Sequence, residues 1–177
     1  MKPTIQTHSG KFFNFLDPKP EQINIEDIVW GLSMKCRFGG HTNIFYSVAQ
    51  HSVLTSELVE SKYKLSALMH DAAEAYTGDV PTPLKRLLPD FKQVEKRIEE
   101  AIFTKFNLPL TLPLPVVEAD SMMLKAERCR FMGKTEDATE WLFLDKVKNA
   151  NIDLLAWPQQ ESYEYFMDTY NRLSMRS

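Results

Sequence analysis

The stretch Leu68–Lys85, LMHDAAEAYTGDVPTPLK, decides how the rest of the chain is read. Its spacing predicts a helix over 65–76, ended by Gly78, with Pro81 and Pro83 ordering a turn before LKRLL. Inside that otherwise apolar run stand His70 and Asp71, in a chain that has only four histidines. Neighbours on a regular helix diverge by about 100°, so the two side chains would not ordinarily hydrogen-bond each other. Both can still reach one point above the helix if an ion sits there. Imidazole nitrogen and carboxylate oxygen are each ligands for divalent transition metals, and two ligands ask for more from other helices.

His51 is the first further candidate. The apolar positions Ile44, Phe45, Val48, Leu54 and Leu58 predict a helix over 44–59, and His51 lies on its inward face. Asp120 is the second: it lies four residues after Val116, three after Val117 and three before Met123, so it falls on the core face of its helix. A bare carboxylate there would cost several kcal/mol unless paired or coordinated. Taken singly, an inward histidine is commonly a hydrogen-bonded core residue, and an aspartate near a helix start is commonly a cap. Together, His51, His70, Asp71 and Asp120 supply two nitrogens and at least two oxygens from three helices. Such a set leaves positions open for water and a substrate oxygen.

The remaining chain reads as helices with a small β excursion. TIQTHSGKFFNFLDP predicts a hairpin around Ser9-Gly10, with His8 on the surface. Ile25, Ile28, Val29 and Leu32 predict an amphipathic helix that stops at Gly39-Gly40. Further helices are expected over 91–106, from Pro115 through VVEADSMMLKAERCRFM, near 139–147 and over 159–175. The expected fold is therefore all-α, a helical bundle with a short N-terminal β-hairpin. It is read as a single domain over 1–177, with the hairpin in 1–20 and a C-terminal helical extension in 134–177.

With 177 residues, 44% hydrophobic and 25% charged, the chain can bury a substantial core. Its net charge of −3 argues against general nucleic-acid binding. Cys36 and Cys129 have no CxxC spacing and are too few for a disulfide framework, so reduced thiols and a cytoplasmic location are expected. Neither a signal-peptide h-region nor a membrane-spanning run is seen, and no membrane partner is expected.

The segments YSVAQHSVLTSE, LMHDAAEAYTGDVPTPLK and VVEADSMML carry a His, then His-Asp, then a distant Asp. In this the sequence resembles the HD-domain metal-dependent phosphohydrolases, and within them the small 5'-deoxynucleotidase group with its prophage and phage relatives, some of them dATP triphosphohydrolases. The likeness spans roughly residues 25–123; no motif is placed after about Gly133. The resemblance implies an HD-domain bundle with His51, His70, Asp71 and Asp120 as metal ligands, and Glu74 as the catalytic glutamate alongside Asp71. Glu74 lies four residues after His70, within reach of the water such a metal would activate. The resemblance further implies that Asp79 meets the sugar 3'-hydroxyl, that Arg37 and Lys85 meet phosphate, and that Phe38 stands where the family typically has a tryptophan crowding the 2' position. Each has a plainer reading too: Glu74 and Lys85 as solvated charges, Asp79 as a turn residue, Arg37 as a helix C-cap and Phe38 as core.

The implied activity is hydrolysis at the 5'-phosphate ester of 2'-deoxynucleotides. It would release orthophosphate from a monophosphate or triphosphate from a triphosphate such as dATP; both readings use the same pocket. The implied cofactor is a divalent transition metal (Co, Mn, Zn, Fe or Ni), and the partner is a small nucleotide. Relatives commonly form dimers or larger homo-oligomers, for which VEKRIEEAIFTKF offers a helical surface. Two other readings stand beside this one: a non-catalytic interaction module stabilised by its metal, and a hydrolase of a signalling nucleotide.

Overall fold

Strands β1 (Thr4–Gln6) and β2 (Phe12–Asn14) pair antiparallel, with Ile5 opposite Phe13, in a computed structural model that describes residues 2–175. The turn between them uses Gly10 at φ +84°, a conformation that favours glycine. It is tied down by Asp27, whose buried carboxylate accepts from Thr7 Oγ1 at 2.9 Å, Ser9 N at 2.6 Å and Ser9 Oγ at 2.7 Å. Phe13 is fully buried and stacks on Tyr76, with ring centroids 3.9 Å apart. The hairpin is thus pinned to the bundle by one carboxylate and one aromatic plug.

Helix α1 (Ile25–Met34) begins at Asn24, whose side chain accepts from Glu26 N, and buries Ile28, Val29 and Leu32 as its spacing predicts. Helix α2 (Val48–Glu57) is buried along nearly all its length. It does not extend back to Ile44. Ser47 caps it by accepting from Gln50 N at 3.0 Å and forms a β-bridge with Cys36, so the chain before it is extended, and Ile44 and Phe45 are exposed. The apolar spacing there was no guide, because the buried surface of α2 is largely polar: Gln50, His51, Ser52, Thr55 and Ser56.

The predicted helix over 65–76 is two short helices, α3 (Lys64–Leu68) and α4 (Glu74–Thr77), the second ended by Gly78 at φ +88°. Helices α5 (Thr82–Lys85), α6 (Pro89–Lys105) and α7 (Leu114–Phe131) follow, with Pro115 in the first turn of α7. Among the described residues after Gly133 the extension holds a 3₁₀ segment, Thr139–Leu144, and helix α8 (Gln159–Ser174). Residues 145–158 between them are non-helical and are held by Gln50, which donates to Leu155 O at 2.6 Å and accepts from Trp157 N at 2.9 Å. Helix α8 then packs on α1, α2 and α3, with Phe166 fully buried in the main core. The result is α2 at the centre, ringed by α1, α3, α7 and α8. No helix among the described residues is long and apolar enough to cross a membrane.

Candidate active site and its metal donors

The break between α3 and α4 shapes the site. Residues 69–73 run as tight turns in which Ala72 N bonds Met69 O at 3.0 Å and Glu74 N bonds Asp71 O at 2.9 Å. These i to i+3 bonds wind the chain more tightly than an α-helix, and the small side chains of Ala72 and Ala73 let it bury. His70 and Asp71 consequently do not diverge as they would on a regular helix: His70 Nε2 lies 3.2 Å from Asp71 Oδ2.

Two other helices converge on the same point. From α2, His51 Nε2 lies 3.2 Å from His70 Nε2 and 3.6 Å from Asp71 Oδ2. From α7, Asp120 Oδ1 lies 3.1 Å from His51 Nε2 and 3.8 Å from His70 Nε2. The outer nitrogens are both committed: His51 Nδ1 is 2.6 Å from Glu127 Oε1, and His70 Nδ1 is 2.7 Å from Ala67 O. A carboxylate and a carbonyl only accept, so both Nδ1 atoms donate and both Nε2 atoms face inward. Those two nitrogens must either carry protons to the carboxylates or share a cation with them; both arrangements need positive charge at the centre.

The electrostatics agree. Burial pushes both imidazoles toward the neutral form, yet Glu127 and Asp120 around His51, and Asp71 and Asp120 around His70, outweigh it and raise both. Burial would raise Asp71 and Asp120, but the two histidines hold both well below the usual carboxylate range. His51, His70 and Asp120 form a group that could hold a metal ion, and Asp71 borders it on the other side. Adjacent donors set ~2.0–2.2 Å from one ion lie ~2.8–3.6 Å apart, close to the 3.1–3.8 Å that separate the donor atoms of His51, His70 and Asp120, so these three fit a transition metal, with Asp71 at 3.2 and 3.6 Å from the two imidazoles. The imidazoles form a closed floor at 0% and 4% side-chain exposure, whereas Asp71 and Asp120 are 19% and 42% exposed. The acidic half is open to solvent, unlike a closed structural site.

The other expected site residues surround this cluster. Glu74 is buried, and burial together with the nearby charges of Asp71 and Asp79 pushes it up to about 8 against the opposing pull of Lys85. Its Oε1 is 3.1 Å from Lys85 Nζ, and its Oε2 has no hydrogen-bond partner among the described residues. Lys85 is also 2.7 Å from Glu95 on α6, so its ammonium lies between two carboxylates. Asp79 Oδ2 accepts from Phe38 N at 3.1 Å, joining the loop after α4 to the one after α1. Phe38 is half-buried at φ +56°, a strained value for a side chain with a Cβ, next to Gly39 and Gly40, which are also left-handed. Arg37 is buried, 3.1 Å from Glu127 Oε2 and 3.5 Å from Asp71 Oδ2, with its guanidinium 5.5 Å from the Phe38 ring centroid.

Two residues of this neighbourhood were not found by sequence reasoning. Glu127 and Glu95 each look like ordinary helix charges, yet both are buried. The available signal for Glu127 was its spacing of seven from Asp120, which returns it to the same helix face.

A bundle that brings one His, a His-Asp pair and a distant Asp to one centre has the architecture of the HD-domain class. The family model described as 5'-deoxynucleotidase YfbR-like matches residues 43–170. The chain is 43% identical over 171 residues to an Escherichia coli protein described as uncharacterized, YfdR, covering 96% of this chain and 95% of that one. An uncharacterized protein of Rhodobacter capsulatus is 34% identical over 149 residues, 76% of each chain. A 5'-deoxynucleotidase of Pasteurella multocida is 32% identical over 69 residues, 39% of this chain and 34% of that one. The chain belongs to the YfbR-like family of HD-domain 5'-deoxynucleotidases, a family of nucleotide phosphohydrolases.

Proposed function

We propose that this protein is a metal-dependent hydrolase that cleaves the 5'-phosphate ester of 2'-deoxynucleotides. The observation that carries the reading is the convergence of His51, His70, Asp71 and Asp120 on one centre with its acidic side open to solvent. A divalent transition metal held there would supply Lewis acidity, polarising a phosphoryl oxygen and making water nucleophilic near neutral pH.

The chain's own groups account for the rest. Glu74 is poised near neutrality to take a proton from the attacking water or give one to the leaving 5'-oxygen. Lys85, 3.1 Å from Glu74, would also meet a phosphate. Arg37 offers a guanidinium beside Asp71 to negative charge growing on phosphate oxygens. Asp79 has one oxygen bonded to Phe38 N, and the other is free to accept from a sugar 3'-hydroxyl. The Phe38 ring, held beside Arg37, is the wall that would meet C2' and favour a deoxyribose.

One pocket of this kind serves either chain length: a monophosphate would yield a deoxynucleoside and orthophosphate, a triphosphate such as dATP would yield triphosphate. Arg86 is exposed directly after Lys85 and gives the longer substrate a further cation. The test is product analysis on metal-loaded protein, offering each dNMP, dNTP and ribonucleotide and following nucleoside, orthophosphate and triphosphate separately. Release of either inorganic product from deoxynucleotides supports the proposal, the product formed telling nucleotidase from triphosphohydrolase. No product from any nucleotide by metal-loaded protein would leave an interaction module.

A further inference from the structure

Glu127 is fully buried on α7 and touches none of the atoms at which a substrate would react. A carboxylate at that depth is costly unless its lone pairs are used. Three segments use them. Oε1 accepts from Tyr46 Oη at 2.8 Å and faces His51 Nδ1 at 2.6 Å, while Oε2 accepts from Arg37 at 3.1 Å. A guanidinium can only donate, and the Tyr46 hydroxyl donates to Oε1, so with Arg37 on Oε2 and Tyr46 and His51 Nδ1 on Oε1 the side chain meets all three neighbours as an acceptor.

The consequence for His51 is geometric. With Nδ1 obliged to donate, a neutral His51 has its lone pair on Nε2, the atom 3.2 Å from His70 Nε2 and 3.1 Å from Asp120 Oδ1. His70 obtains the same orientation from a main-chain carbonyl, Ala67 O, which no side-chain substitution removes. For His51 the duty falls on one side chain. The opposite oxygen of that side chain grips Arg37, whose other terminal nitrogen is 3.5 Å from Asp71 Oδ2. One carboxylate therefore sets the attitude of a metal donor and of a phosphate-facing cation together.

We infer that Glu127 is a positioning residue, which fixes His51 in the Nδ1–H form with Nε2 presented to the metal and holds Arg37 at the edge of the same site. This rests on the metal reading above and not on the identity of the substrate. The rival role is a plain counter-charge for Arg37 in the core, which would leave metal binding alone. Carboxylates behind ligating histidines typically contribute ~10–100-fold to metal affinity.

The test is titration of the metal-free full chain with Co²⁺, read by its visible absorption, for the native protein and for Glu127→Met. A methionine has similar length but no strong acceptor, so neither His51 nor Arg37 keeps its partner. The expected result is a folded variant whose Co²⁺ dissociation constant rises ~10–100-fold. A folded variant with native Co²⁺ affinity would overturn the inference, even if its thermal stability had dropped. Should the variant not fold, the native Zn²⁺-loaded protein answers by nitrogen-15 histidine spectra: a protonated Nδ1 on His51 is expected, and a protonated Nε2 would overturn it. Native protein that binds no Co²⁺ would instead sink the metal reading, and failure to hydrolyse nucleotides would touch only the substrate reading.

Discussion

Replacing Glu74 by glutamine should make the metal-free protein more stable in base and leave it unchanged in acid. Glu74 is buried beside the charges of Asp71 and Asp79, which lifts it from 4.5 to about 8 in the folded chain. The folded state then binds a proton that the unfolded state has released, so stability is fully present below pH 4.5 and falls as pH rises toward 8. At ~1.36 kcal/mol for each pH unit, that interval corresponds to about 4–5 kcal/mol lost above pH 8. Glutamine has the shape of the protonated acid and no proton to lose. Its advantage over the native residue should be near zero at pH 4.5, grow through neutrality and level off above pH 8. Urea unfolding of both proteins in chelator, at intervals between pH 4.5 and 9, measures it directly. A bound divalent cation favours the Glu74 carboxylate and should shrink the gain. Parallel stability curves for the two proteins, or a glutamine variant less stable at pH 9, would refute a Glu74 whose burial and negative neighbours outweigh the pull of Lys85.

Gly31→Ala should destabilise the bundle by about 1–3 kcal/mol, seen as a lower melting temperature, because a Cβ there would stand 2.8 Å from the backbone oxygen of Ala75, where α1 crosses α4. An unchanged melting temperature would mean that this crossing is loose. Gln50→Ala removes both bonds to the segment before α8, leaving Leu155 O and Trp157 N unpaired at ~1–3 kcal/mol for each group. Faster proteolysis between 145 and 158 is expected, and unaltered cleavage would contradict the anchoring role. Phe38→Ala should raise kcat/KM for ribonucleotides relative to deoxynucleotides roughly 10-fold or more, because the proposal makes its ring the wall at C2'. An unchanged ratio would place sugar discrimination elsewhere.

Much of this was legible in the chain because the relevant side chains interrupt apolar patterns. His70 interrupts an apolar run, and the structure brings it to one centre with His51 and Asp120; Asp120, expected on a core face with Val117, instead sits at the open edge, and Val117 is exposed. The α1 core positions and the stop at Gly78 follow from spacing and from the backbone freedom of glycine. What was hidden depends on contacts between distant segments. The turns over 69–73 interrupt a sequence of good helix formers, so local propensity argues for one continuous helix. Glu127 and Glu95 carry the side chains expected of solvated helix faces, and only the arrival of Arg37, His51, Tyr46 and Lys85 from elsewhere shows them as buried partners. The start of α2 was misplaced because a central helix that buries polar residues has no apolar stripe to read.

The central claim is that the ion held by these four residues makes the protein a phosphohydrolase. The measurement that reaches it most directly is nucleotide turnover by Asp71→Ala, with bound metal quantified on the same sample beside the native protein. The account predicts native protein that retains a divalent metal and releases phosphate or triphosphate from a deoxynucleotide, and a folded variant that does neither. Turnover at the native rate by a folded, metal-free Asp71→Ala protein would contradict it.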